Sequence, residues 1–188
     1  MWLLLFGLAL FSGVHLVPAI LHGTRAILIN KLGLWPFKGL FSVLTLLSLV
    51  SIILGWRSME PVPVYSPPPW GSHATFILVL LTFILLVSPY VKTNICRTLR
   101  HPQLVAIVLW SIGHLLANGD CRSLILFSWL ALWAILEMIF IGRREGEKIK
   151  AAPVSIKYDV LAVLYGGIVY AVFLFAHPYI TGTRLVSF

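Results

Sequence analysis

The stretch "LWSIGHLLANGDCR", Leu109 to Arg122, decides the architecture. Its left part is apolar apart from His114, and its right part, from Ala117 to Arg122, is polar and rich in turn-forming residues. A change this abrupt reads as a helix leaving an apolar phase. His114 among apolar neighbours then has three readings: a ligand, a packed core residue, or part of a turn signal.

The rest of the chain gives the same picture. Of 188 residues, 60% are hydrophobic and 11% charged, and the mean hydropathy is +0.98. A soluble domain carries about 25% charged residues. The apolar excess lies in long runs, and a run of roughly 20 residues is what a bilayer span needs. Six runs qualify: Trp2–Leu21, Gly39–Gly55, Ala74–Val91, Gln103–Ala117, Ser123–Ile141 and Tyr158–Ala176, the fourth being short. The spacing leaves no room for a separate soluble domain, so residues 1–188 read as one all-α membrane bundle of about six transmembrane helices. The first run lacks a basic leader and exceeds the usual 7–15-residue apolar core of a secretory signal, so it reads as a retained helix despite "VPA".

The net charge of +8 would by itself suit nucleic acid, but its distribution argues for membrane topology instead. Arg25, Lys31 and Lys38 follow the first run, Lys92, Arg97 and Arg100 the third, and Arg143, Arg144, Lys148, Lys150 and Lys157 the fifth. The alternate loops and the tail hold only Arg57, Arg122 and Arg184. The positive-inside rule then places the basic loops in the cytoplasm and both termini outside. Cys96 and Cys121 fall on opposite faces, so no internal disulfide is expected. The outer loop "EPVPVYSPPPWGSH" reads as a stiff spacer on the membrane surface, with Tyr65 and Trp70 at the interface. In the last run, Ala162, Gly166, Gly167 and Ala171 form overlapping small-xxx-small pairs that suit close helix packing.

Polar residues inside a membrane are costly, which makes each a candidate site. His15 lies about six residues from the inner end of the first span, or ~9 Å, and His114 about eleven residues from the inner start of the fourth, or ~17 Å. On tilted neighbouring helices the two could meet near mid-membrane, where opposed imidazoles suit a six-coordinate haem iron. The alternative is that each imidazole simply hydrogen-bonds a neighbouring helix. His22 shares a helical face with His15, and His73 and His177 lie at outer ends. No CxxCH is present, which excludes covalent c-type attachment. In "RHP", Arg100 to Pro102, Pro102 suits a first helical turn with His101 at the cap, while Arg100 and the helix N-terminus could instead hold an anion. After His114, Asn118-Gly119 can end a helix in the left-handed region, with Asp120 or Ser123 capping the next; alternatively Asn118 fixes the imidazole of His114. Glu137, one turn from the inner end of the fifth span, is expected to snorkel. Asp159 opens the sixth, where an acid favours the helix N-terminus.

The segments "GLALFSGVHLVPA", "LGLWPFKGLFSVLTLLSL", "LRHPQLVAIVLWSIGHLLANGD" and "FAHPYITG" resemble the NnrU family of bacterial membrane proteins over essentially the whole chain. The resemblance implies a bundle of about six helices in the bacterial cytoplasmic membrane and an association with denitrification, through nitrite and nitric oxide metabolism. Plant relatives are 15-cis-zeta-carotene isomerases, which carry haem b and isomerise a polyene. Their haem histidines match His15 and His114, and the histidine of "RHP" matches His101. Where the plant enzymes have a Cys three residues before the second haem histidine, this chain has Ser111. A fainter resemblance, through "RHP", is to isoprenylcysteine carboxyl methyltransferases, in which Arg100 and His101 would orient S-adenosylmethionine; their full cofactor clamp is absent from "GRREGEKIKAAPVSIKY". A third possibility is a non-enzymatic accessory factor of a respiratory complex.

Overall fold

The computed structural model describes residues 1–21, 23–147 and 151–182. His22, Lys148, Lys150 and Arg184 lie outside the described residues. The regular structure among the described residues is helical: α1 (Trp2–Ile20), α2 (Thr24–Leu32), α3 (Leu34–Arg57), α4 (Gly71–Val91), α5 (Asn94–Thr98), α6 (Pro102–Ala117), α7 (Cys121–Glu145) and α8 (Lys157–Thr181). Five of these, α1, α3, α4, α7 and α8, are long and apolar enough to cross a membrane. With 16 residues, α6 is a shorter apolar helix, about 24 Å long against a hydrocarbon core of about 30 Å. Among the described residues there is no strand, only an isolated bridge between Pro63 and Asp120.

Several helices outrun their apolar runs. α3 begins at Leu34 rather than Gly39, because Pro36 falls in its first turn, where a missing N–H costs nothing. α8 continues past Ala176 to Thr181, with Pro178 inside its final turn. The short helices α2 and α5 had no counterpart among the apolar runs. The sequence of α2, TRAILINKL, flanks the four apolar residues Ala26 to Ile29 with Thr24 and Arg25 on one side and Asn30 and Lys31 on the other, and none of its residues is buried.

Packing runs in a closed circuit. α1 lies along α3, α4 along α6 and α8 against α4, while α7 bridges α6 and α1. α3 and α8 complete the circuit with its slightest contact, where Arg57 Nη1 donates to Tyr179 O at 3.3 Å. Leu4 and Leu8 of α1, Ile52 and Trp56 of α3, and Phe127, Leu130 and Trp133 of α7 form one buried cluster. Large apolar residues such as Leu46, Ile77 and Val163 point outward and are exposed, as expected where lipid is the solvent. Without a hydrophobic force between helices in lipid, close approach and hydrogen bonds must join them. Thr75 Oγ1 and Thr82 Oγ1 of α4 donate to the Gly113 and Ala106 carbonyls of α6, at 2.6 and 3.2 Å, and Trp129 Nε1 of α7 donates to Ser12 Oγ of α1 at 2.9 Å. Of the small residues in α8, Ala162 is fully buried, and a Cβ on Gly166 would sit 2.7 Å from Ile84 Cα of α4. Gly167 has open space beside it, so the packing face runs through Ala162 and Gly166 alone.

Candidate functional site

His15 and His114 share one local geometry. Each lies in a helix with its Nδ1 facing the carbonyl four residues earlier: Phe11 O at 2.7 Å for His15 and Trp110 O at 2.8 Å for His114. A carbonyl can only accept, so Nδ1 carries the proton, and in the neutral form of the ring Nε2 is left as a lone pair. Both rings are also held by aromatic neighbours. His15 lies 4.3 Å from Phe11, 5.2 Å from Phe41 and 5.5 Å from Trp133, centroid to centroid. His114 stacks on Phe127 at 4.5 Å and lies 4.8 Å from Trp110.

The two imidazoles therefore rest on different parts of α7. Trp133 and Phe127 are six positions apart, a rise of about 9 Å along the helix. Both α1 and α6 flank α7, and His114 lies at the level nearer the α6–α7 turn. Phe127 and Trp133 escaped the sequence reading, because nothing marks which aromatic residues of a long apolar helix face a histidine on another helix.

His15 lines a cavity of about 860 Å³, together with Arg100 and His101, at the end of the bundle that carries the α4–α6 connection, termed the inner end, the α6–α7 turn marking the outer end; His114 and Asn118 do not line it. That volume lies within the range of small-molecule sites. Its walls come from α1, α4, α6 and α7, from the α4–α6 connection and from residues 151–154. The "RHP" motif forms part of the wall. Pro102 is at the first helical position, and His101 occupies the cap position without a side-chain cap bond. Arg100 pairs with Glu145 at 3.1 Å and donates to Gly146 O, tying α6 to the end of α7. Glu137 departs from expectation. It does not snorkel; it lines this cavity, is 8% exposed, and its Oε2 is buried with no hydrogen-bond partner among the described residues. Its face of α7 turns inward beside Trp133, so the long side chain cannot reach the interface. Asp159 caps less than it clamps: its two oxygens accept from Asn94 N at 2.8 Å and Asn94 Nδ2 at 2.6 Å.

At the outer end, the turn after His114 is structural. Asn118 Nδ2 donates to His114 O at 2.8 Å, so it holds the main chain, while Trp110 holds the ring. Asn118 itself is extended and Gly119 is not left-handed, contrary to the expected helix ending. Glycine is needed for another reason: a Cβ at position 119 would collide with Tyr65 O. Asp120 caps α7 as expected, accepting from Ser123 N at 3.0 Å and Ser123 Oγ at 2.6 Å. The proline-rich loop is no free spacer. Val64 N and Tyr65 N donate to Gly119 O at 2.8 and 3.0 Å, and Cys121 N donates to Val62 O at 2.8 Å. The Tyr65 hydroxyl reaches Asn118 O at 2.8 Å and also Leu115 O. Burial, aided by the charge of Asp120, raises the Tyr65 phenol above its ordinary value.

Among the described residues no three His, Cys, Asp or Glu side chains converge as a metal-binding group, and Cys96 and Cys121 are not joined by a disulfide. What remains is an all-helical membrane-type bundle with two oriented interior imidazoles, one of them on an inner-end cavity. The family model described as "NnrU protein" matches residues 3–185, and the chain belongs to that family. No curated protein and no solved structure matches it.

Proposed function

We propose that this NnrU-family chain is a haem b-binding protein of the bacterial cytoplasmic membrane, with six spans, both termini outside, and His15 and His114 as the iron ligands. The observation that carries the reading is the shared imidazole geometry: Nδ1 tied to a carbonyl and Nε2 left as a lone pair. Metal-bound histidines are oriented in this way, because the bond at one nitrogen fixes the tautomer and the ring plane. The donor chemistry fits a haem, which asks for two neutral imidazoles rather than a three-ligand cluster. Phe11 and Trp110 would hold the donor rings through their carbonyls, while Phe41, Phe127 and Trp133 would exclude water around them. When bound, the haem would supply an iron centre for cis–trans isomerisation of a polyene such as zeta-carotene, or for nitric oxide chemistry beside a respiratory complex.

Six spans and the orientation draw on two supports. α6 lies along the length of α4, and the basic residues fall eleven to three on alternate loops.

Haem-replete expression, detergent purification and an absorption spectrum test the reading. A Soret band is expected, lost or shifted in both His15→Ala and His114→Ala and retained in Asn118→Ala. Absence of the band, or an unchanged band in both histidine variants, overturns it. Turnover of zeta-carotene against a nitric-oxide-induced band shift separates the two activities.

A further inference from the structure

The inner-end cavity is built for an amphiphile. Its rim is cationic and its body apolar, and the two parts come from different elements. Lys92 stands at the end of α4 and, among the described residues, makes no ion pair or hydrogen bond. It is also the single described non-glycine residue with positive φ, at 55°, a conformation that lysine adopts only at a cost. Arg97 spends its Nε on Ala151 O at 3.0 Å, which fixes the guanidinium and leaves its two Nη groups without described partners. Below the rim, Leu86, Leu104, Ile107, Trp133 and Ile141 form the walls.

The floor carries the second observation. Glu137 also lines the cavity; it is more than nine-tenths buried, and its Oε2 has no hydrogen-bond partner among the described residues. A buried polar atom left unmet is costly, so this position favours an occupant that brings a hydrogen-bonding group to it. Glu137 and the cations Lys92 and Arg97 line the same cavity. A bare anion would meet the cations alone. A lipid with a phosphate head, a polar linker and an apolar chain would meet the cations, Glu137 and the apolar walls together.

The geometry points to a binding site for a phosphate-headed lipid, with Lys92 and Arg97 on the phosphate, the chain along Leu104 and Trp133, and Glu137 meeting a polar group of the linker. Guanidinium forks match phosphate oxygens. The cationic rim lies at the basic end of the bundle, so a leaflet lipid would enter in its ordinary orientation. The site differs from the haem reading in its ligand and in its anchoring cations, Lys92 and Arg97, and shares with it Trp133 and the cavity that His15 lines.

Native mass spectrometry of the full chain, delipidated in detergent, tests it with dioleoylphosphatidylglycerol, farnesyl diphosphate, inorganic pyrophosphate and S-adenosylmethionine as probes. Retention of a tailed phosphate is expected, with no retention of pyrophosphate or S-adenosylmethionine. Phosphatidylglycerol carries the polar linker that Glu137 would meet and farnesyl diphosphate lacks it, so the former should be retained more strongly; the reverse order would overturn the role of Glu137. K92Q/R97Q should lower retention by about tenfold or more, at roughly 1 kcal/mol per cation. Leu104→Trp, which fills the wall and leaves the rim charges intact, should lower it as well. Unchanged retention in both variants overturns the proposal, as does pyrophosphate or S-adenosylmethionine binding as well as the tailed probes. Loss of the Soret band in K92Q/R97Q also overturns it, by assigning the cations to haem carboxylates. A chain without any Soret band that still retains the lipid separates failure of the haem reading from failure of this one.

Discussion

Arg122 lies over the indole of Trp56, its guanidinium carbon 4.5 Å from the ring centroid. The same side chain donates through Nη1 to Met59 O at 3.0 Å and pairs through Nε with Asp120 at 3.4 Å. One residue at the start of α7 thus holds the end of α3 and the turn that follows α6. Arg122→Ala should lower stability by about 2 kcal/mol, from the lost cation–π contact and charge-assisted bonds. Arg122→Lys should recover only part, because an ammonium lacks the planar fork. Thermal melts in detergent check both, and an Arg122→Ala melt equal to wild type would refute the clamp.

Gly166→Ala and Gly167→Ala form a matched pair on α8. The first drives a methyl into the backbone of Ile84 and should destabilise by about 1–3 kcal/mol. The second meets open space and should be neutral or stabilising by up to about 1 kcal/mol, from helix propensity alone. Equal effects in the same melts would remove the α4–α8 contact as their cause.

Gly119→Ala tests the outer strap. Its methyl would strike Tyr65 O and break the bonds that Val64 N and Tyr65 N make to Gly119 O. The expected cost is about 2 kcal/mol, with faster proteolysis in the loop before α4. Limited digestion followed by mass mapping reads the site of cleavage; an unchanged pattern would show that the strap is held elsewhere.

Tyr65 gives a pH dependence. Its phenol pKa is raised in the folded chain, first by burial and then by Asp120. The folded state therefore holds the proton more tightly than the unfolded state does. The stabilisation is complete below the unfolded value of about 10 and is lost as pH rises through the raised folded value. Melts across that range should show an alkaline fall in stability that is smaller in Tyr65→Phe. An identical fall in the variant would assign it to other groups.

Asp159→Asn should loosen the inner end. It removes the charge behind the bonds to Asn94 N and Asn94 Nδ2, and Asn94 in turn accepts from Val154 N at 3.0 Å. A loss of about 1.5–3 kcal/mol is expected for bonds to a charged group. Hydrogen exchange around residues 151–154 should accelerate, and exchange identical to wild type would count against the clamp.

Much of the architecture was legible in the chain because hydropathy acts locally. Runs such as Trp2–Leu21 and Ser123–Ile141 can satisfy their backbone in lipid only as helices, whatever surrounds them. Asp120 as the cap of α7 and Pro102 at the start of α6 were legible for the same reason, since caps and first turns depend on adjacent residues. His15 and His114 stood out because an imidazole is costly in an apolar run.

What the chain could not disclose depends on which face each helix turns to which neighbour. Glu137 sits one turn from a helix end, which suits snorkelling, and only the packing of α7 turns it inward onto the cavity. Asn118 reads equally well as a clamp on the His114 ring or as part of a turn; the fold gives it the carbonyl. Tyr65 and Asn118 are far apart in sequence, and their bond exists because the proline-rich loop folds back across the α6–α7 turn. By itself the sequence determined the apolar helices, the Asp120 cap of α7, the Pro102 start of α6 and the two interior histidines, since these follow from short-range hydropathy and hydrogen-bond demand. The tertiary structure alone decided that His15 opens on the inner cavity, that His114 rests on Phe127 further out, and that Glu137 joins His15 there. Those relationships are set by helix rotation and by approaches between residues distant in the chain.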